Sequence, residues 1–289
     1  NGSLLLPSIH VCPKNPDHLN YEVLFADIQQ RLGPQTFDLK KDILLYFIAS
    51  CGFLNTKVDT WTPTRISSIR PLLDQWFGGR SMIEMFQFVF DENGLQCSDV
   101  FADCETMECC EHFKPHYVML RGRCMRLDHY YQKSGGQSNS LRLKFKNPNS
   151  LLVDGSEQRQ YVIYFGDEWP EIAIFPRVYV TKDEFVLANA RLRKVKMMPR
   201  LNVCSTDPYR RGRATCYVNR WLEENLLRPL NCTLPAMRNL RSANGYSVCN
   251  PHLVVANYKQ IITANTLQHR VSDVEKFQGK VNEYKQNSS

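Results

Sequence analysis

The sequence has no apolar stretch near the roughly 18 residues that a bilayer-spanning helix needs. Its longest candidate, Ile43 to Leu54, is interrupted by Ser50 and Gly52. None of the 289 residues therefore forms a membrane span of its own. There is no P-loop and no G-x-G-x-x-G, so neither nucleotide-binding fingerprint is present. No C-x-x-C is followed by a second such pair or by H-x-x-x-H, which makes a zinc site the weaker reading of the cysteines. Internal repeats and low-complexity tracts are lacking too, which argues against a solenoid and against a disordered chain. The sequence starts without Met or a signal peptide and reads as a segment of something larger.

Hydrophobic residues make up 43% and charged residues 22%, enough to bury a core in one large domain or two ordinary ones. The 11 cysteines are many for a reducing compartment and fit an extracellular protein. Three sequons point the same way: Asn1-Gly2-Ser3, Asn231-Cys232-Thr233 and Asn287-Ser288-Ser289. The outer two lie at the chain ends, so Asn231 is the candidate glycosylation site. The net charge is +7, with basic runs at Arg191 to Lys196 and Arg210 to Arg213. These read first as solvated edges and second as a patch for an anionic ligand. No recognition motif accompanies them, so nucleic acid is not expected as a partner.

Along the chain, residues 4 to 12 read as a strand entering the fold. Asp38 to Cys51 reads as a helix, with Ile43, Leu44, Phe47, Ile48 and Cys51 on one face. A second helix is expected from about Ser68, with Pro71 in its first turn and a stop at Gly78-Gly79. A third opens at Ser81, where Glu84 completes a capping box. Residues 97 to 124 hold five cysteines. After a flexible link at 134 to 140 the period becomes two. Leu141 to Lys146, Tyr161 to Phe165, Ile172 to Val180 and Leu192 to Met198 read as strands. Asn219 to Leu227 reads as a helix capped by Asn219, His252 to Ile262 as a last strand, and Ser272 to 287 as an amphipathic helix. Helices and strands are segregated, so the expected class is α+β, with a sheet pairing distant segments and cysteine-rich helical lobes as excursions from it.

Nucleophilic catalysis needs a Cys or Ser beside a His base and an orienting group. Cys110 with His112 and His116 is the dense Cys/His cluster, and its neighbours make it a disulfide knot. Asp167 and Glu168 are adjacent, so on a strand they point to opposite faces and make a poor acid–base pair. No active site and no cofactor are expected. The four tryptophans, Trp61, Trp76, Trp169 and Trp221, read as core or lobe-interface residues.

Four stretches occur in an order that resembles the ectodomain of the degenerin/epithelial sodium channel family, its insect pickpocket branch most of all. Pro7-Ser-Ile-His-Val-Cys12 looks like the first ectodomain strand. Cys110-Glu-His-Phe-Lys-Pro115 with Gly122-Arg-Cys124 is similar to the C-x-x-F-x-P…G-x-C block, although Met125, Arg126 and Leu127 replace the usual aromatic and Asn. Ser140 to Phe145 with Tyr161 to Pro170 resembles the paired palm strands. Cys204, Cys216, Asn231-Cys232-Thr-Leu-Pro235 and Cys249 resemble the thumb, with fewer cysteines than the family usually has.

The resemblance implies one extracellular domain over 1–289, built on a central mixed sheet. Its parts would be a finger-like lobe at 13–133, palm-like strands at 134–203, a thumb-like lobe at 204–249, and a return strand with a helix at 250–289. It implies a Cys12–Cys124 bridge. In the thumb-like lobe it leads to Cys204 with Cys216 and Cys232 with Cys249. Cys97, Cys104, Cys109 and Cys110 would make two further bridges of unassigned pairing. Cys51 is then left as the free thiol, on the apolar face of its helix. Functionally the resemblance implies the ectodomain of a sodium-permeable, amiloride-sensitive-type cation channel subunit. Asp167 and Glu168 would attract cations or sense protons, flanking helices would cross the membrane, and other subunits would complete a trimer around a response to a ligand, protons or force. The second class is a secreted, disulfide-stabilised binding or inhibitor protein.

Overall fold

The structure, a computed structural model, describes residues 4–105, 107–127, 130–132, 140–151, 159–166, 177–182, 184–187 and 213–262. The fold is α+β. A five-stranded sheet runs in the order β4 (Phe113–Val118), β5 (Gly122–Leu127), β2 (Ser8–Pro13), β8 (Gln160–Gly166), β9 (Arg177–Thr181). Distant segments thus meet on adjacent strands. The sheet is antiparallel throughout rather than mixed. A tight hairpin dictates part of this. β4 turns into β5 through Met119–Arg121, where Arg121 N–H donates to the Val118 carbonyl at 3.0 Å. Gly122 opens β5 at φ +91°, and a Cβ there would come within 3.3 Å of Pro16. Two of the central strands, β4 and β5, come from the 13–133 stretch.

Residues 4 to 12 form two strands, not one. Pro7 separates β1 (Leu4–Leu5), which pairs with β6 (Tyr131–Gln132), from β2. Pro7 has no N–H to give a ladder, which favours the break. The alternating segment after residue 140 yields β7 (Leu143–Phe145). It pairs with β3 (Phe101–Cys104) in a separate two-stranded sheet, not with the central one. Of the expected strand Ile172 to Val180, β9 covers the second half. Residues 172–176 and the expected strand Leu192 to Met198 lie outside the described residues.

A helical lobe fills the chain between β2 and β4. α1 (Tyr21–Leu32) is capped by Asn20, and α2 (Phe37–Ser50) by Thr36, whose hydroxyl accepts from Leu39 N–H. α3 (Pro63–Phe77) starts five residues before the expected Ser68. Thr62 caps it and Pro63 takes the first turn, where a missing N–H costs nothing. Pro71 then lies inside the helix. α3 ends on Gly78 in the left-handed region at φ +55°. α4 (Met82–Phe86) opens on the capping box formed by Ser81 and Glu84, then continues as a wider turn to Glu92. Leu24, Ile28, Phe47, Leu73, Trp76, Met85 and Phe90 interlock in its core. Trp76 is fully buried and donates its indole N–H to Asp27 at 2.6 Å.

Short helices α5 (Cys97–Val100) and α6 (Cys109–His112) flank β3 and pack on one face of the sheet with Ile9, Val11, Phe113, Met125 and Leu127. A second lobe holds α7 (Arg213–Leu222), a wide turn to Leu227, α8 (Arg228–Leu230), α9 (Pro251–Ala256) and α10 (Tyr258–Ile262). Trp221 and Leu226 centre its core. Asn219 is not a cap. It lies within α7, donates to the Thr215 carbonyl at 2.9 Å and accepts from Ser242 at 2.6 Å. The expected last strand, His252 to Ile262, is helical. Asn250 accepts from His252 N–H at 2.9 Å as a cap, Pro251 takes the first turn, and Pro251, Val254, Val255, Tyr258 and Ile261 are buried at helical spacing. The expected helix from Ser272 lies outside the described residues.

Candidate functional site

The face of the central sheet opposite the cysteine-rich segment carries a group of polar and titratable side chains. Alternation along each strand fixes its membership. On β2 it holds His10 and Cys12; on β5, Cys124 and Arg126; on β4, Lys114 and His116; on β8, Val162 and Tyr164; on β9, Arg177 and Tyr179. Ladder register places Lys114, Arg126, His10, Tyr164 and Arg177 in one row across the five strands. Cys12, Val118, Cys124, Val162 and Tyr164 make a small buried cluster on this face, with Tyr179 against it.

The disulfide Cys12–Cys124 joins β2 to β5 with a Cα–Cα separation of 4.4 Å, as suits residues facing each other on antiparallel strands. His10, two residues before Cys12, is wholly buried, and neither ring nitrogen has a hydrogen-bond partner. Burial, with help from His116 and Arg126, pushes its pKa from 6.5 down to about 2. The imidazole is therefore neutral at every ordinary pH. Its ring centroid lies 5.2 Å from that of His116, which is half-buried. Arg121 is buried, donating to the Tyr164 hydroxyl at 2.8 Å and to the Lys14 carbonyl at 2.9 Å.

The helical lobe is hydrogen-bonded to this sheet, and the second lobe packs on the β4–β5 turn through Met119 and Leu120. Asp91, at the end of the helical lobe, accepts from the Tyr117 hydroxyl of β4 at 2.7 Å and pairs with Arg123 of β5. Leu54 N–H donates to the Leu120 carbonyl in the β4–β5 turn at 2.8 Å. The two lobes meet each other through His252 of α9. Its Nδ1 lies 2.9 Å from the Tyr46 hydroxyl of α2, and its Nε2 lies 2.8 Å from Asp74 of α3. Burial raises the Tyr46 phenol to about 12, so it stays protonated and serves as a donor here.

The remaining disulfides are Cys97–Cys110, Cys104–Cys109 and Cys232–Cys249. Spacing alone did not separate the three ways of pairing Cys97, Cys104, Cys109 and Cys110. The fold does so: Cys104 at the end of β3 meets Cys109 at the start of α6, and Cys97 at the start of α5 meets Cys110. Cys204 lies outside the described residues, and with it the pairing to Cys216 of α7. Asp167, Glu168 and Trp169 also lie outside them. His112 and Glu111 are exposed on α6, while Cys109 and Cys110 are both consumed by disulfides, so that cluster offers no nucleophile. Asn231 ends the second lobe's helical run in the left-handed region at φ +53° and is exposed, whereas Thr233 of the same sequon is fully buried. Among the described residues no group of three His, Cys, Asp or Glu side chains could hold a metal ion, and no helix is long and apolar enough to cross a membrane.

Cys51 is fully buried at the end of α2 as a free thiol, and burial pushes its pKa well up, so little thiolate forms. Iodoacetamide is expected to leave Cys51 unmodified in the native protein and to modify it once the unreduced protein is unfolded in guanidinium. Peptide mapping checks this; rapid native labelling of Cys51 would contradict its burial.

The row His10–Arg126–Tyr164 was not singled out from sequence. Its signal was the single polar His10 within Pro7-Ser-Ile-His-Val-Cys12, a run whose other core positions are apolar. No known protein-family model matches this sequence, and no curated protein matches it.

Proposed function

We propose that this chain is the extracellular domain of a sodium-permeable, amiloride-sensitive-type cation channel subunit, of the kind the degenerin/epithelial sodium channel family comprises. One observation carries the reading. Parts of three of the four stretches that resemble the family, more than 100 residues apart at their extremes, lie on adjacent strands of one sheet, although Leu143–Phe145 of the third stretch pairs with β3 in a separate sheet. Cys12 on β2 is tied to Cys124 on β5, with β8 on the other side of β2. Convergence of unrelated motif-like runs on one sheet would be coincidental otherwise.

In this reading β2 leads into the fold directly after a first membrane helix, and a second membrane helix follows the residues described. The two lobes receive the stimulus. Hydrogen bonds at Asp91 and Leu54 and the Tyr46–His252–Asp74 bridge connect them to each other and to the sheet, so displacement of a lobe pulls on strands that continue toward the pore. Asp167 and Glu168, just after β8, would concentrate cations or respond to protons. Asn231 would carry a glycan added before the second lobe closes over Thr233. The membrane and the other subunits of a homo- or heterotrimer are the partners, and an extracellular ligand is one of the stimuli the lobes could take. No catalysis is part of the proposal.

The assembly tests it. Three like chains at +7 repel only weakly at physiological salt, where the Debye length is about 8 Å. The membrane helices supply part of the trimer contact. The 289-residue chain is therefore expected to be monomeric at micromolar concentration and the full-length subunit trimeric, by light scattering coupled to size exclusion. A stable dimer of the 289-residue chain, unchanged in high salt, would instead favour a secreted binding protein.

A further inference from the structure

We propose that His10 and His116 form a binding site for a divalent transition-metal ion, Zn²⁺ or Cu²⁺, on the face of the sheet opposite the cysteine-rich segment. The inference does not depend on the channel reading.

The first ground is His10 itself. A buried polar group without a hydrogen bond costs free energy, and native proteins keep such groups few. His10 has two of them on one ring, at full burial. Other buried polar atoms without a hydrogen bond among the described residues are single hydroxyls, as on Thr56, Tyr161 and Thr233. An imidazole with both nitrogens unsatisfied awaits an acceptor, a donor or an electrophile. Zn²⁺ and Cu²⁺ take neutral imidazole nitrogen readily.

The second ground is geometric. Imidazoles sharing one tetrahedral ion through bonds of about 2 Å have ring centroids about 5 Å apart. His10 and His116 stand at 5.2 Å with their planes inclined by 57°. They belong to β2 and β4, with β5 between them, so their approach is made by side chains reaching over an intervening strand and not by adjacent-strand pairing. His116 is half-buried, so solvent can supply the remaining coordination positions from its side. The sulfurs of Cys12 and Cys124 share this face, but as a disulfide they are not thiolate ligands.

Arg126 acts against the ion. It faces His10 across the β2–β5 ladder, and a fixed cation beside a divalent site weakens it. The expected affinity is accordingly micromolar, not the far tighter binding of a closed four-ligand structural zinc site.

Titration of the tag-free, folded 289-residue chain with Zn²⁺ by calorimetry is expected to show one saturable site near neutral pH. Cu²⁺ in its place should give an electron paramagnetic resonance signal with two nitrogen ligands. His116→Asn should abolish both. His112→Asn, an exposed control on α6, should leave both unchanged, and Arg126→Gln should tighten Zn²⁺ binding. His10→Asn should also abolish binding. If that buried substitution fails to fold, His116→Asn decides alone, because His116 is only half-buried. Absence of saturable binding in the parent chain, or binding unaltered in His116→Asn, would overturn the proposal.

Discussion

Replacing Cys12 and Cys124 together by alanine is expected to lower the unfolding free energy by about 4–5 kcal/mol on the chain-entropy account of a crosslink. The bond joins residues 112 apart in sequence, so it confines the whole helical lobe and the cysteine-rich segment in the unfolded chain. Removing Cys104–Cys109, which spans 5 residues, should cost about 2 kcal/mol by the same reasoning. The longer bond also holds β2 to β5 in the middle of the sheet, where neighbouring ladders on both sides depend on it. Urea unfolding of the single-pair variants, followed by circular dichroism, compares the two. Equal losses for the two bonds, or a loss below about 1 kcal/mol for Cys12–Cys124, would mean that sheet and core packing already confine the lobe without the crosslink.

Acid should destabilise the domain through His10. The unfolded chain takes up this proton near pH 6.5, whereas the folded chain resists it until about pH 2. Below pH 6.5 the unfolded state therefore binds more protons, and stability falls as pH falls, by about 1.4 kcal/mol per pH unit across that window. The cause is burial first, then the groups facing His10: His116 from β4 and Arg126 from β5, with Lys114 and Arg177 further along the row. Tyr164 from β8 is neutral there. His18, also lowered by burial, contributes with the same sign. Between pH 6.5 and 4.5 the expected loss from His10 is about 2 kcal/mol. His10→Leu removes both the titration and two unsatisfied nitrogens, so it should flatten the acid limb without loss of stability at neutral pH. Urea midpoints across pH 4 to 8 in the presence of a chelator measure this, and an acid limb identical in His10→Leu would contradict it.

The elements that were legible in the sequence are those in which local chemistry and packing agree. α2 has a continuous apolar face, and the helix at Ser81 has its capping box. The strand Tyr161 to Phe165 alternates, and β2 carries β-branched residues on both sides of His10. α1 is legible in the same way: Tyr21, Leu24, Ile28 and Leu32 keep helical spacing behind the cap Asn20. The His252 to Ile262 segment shows where residue propensity misleads. Its run Leu-Val-Val has β propensity, yet Asn250-Pro251 is a helix start, and cap chemistry won over propensity. The α3 start follows the same rule, since Thr62-Pro63 outranks Pro71 as a first turn. The row across the sheet face was not legible. It combines residues from five strands, and no spacing rule brings Lys114, Arg126, His10, Tyr164 and Arg177 together before the register is known. The sheet's antiparallel order was equally hidden, since it follows from which distant strands meet.

The most direct test is electrical. The full-length subunit, expressed in oocytes under two-electrode voltage clamp, is predicted to carry an inward sodium current that amiloride blocks. The same subunit with Cys12 and Cys124 replaced by serine is predicted to give little current and little protein at the cell surface. No sodium current, together with recovery of the intact protein from the medium after removal of a signal peptide, would contradict the account and identify a secreted binding protein instead.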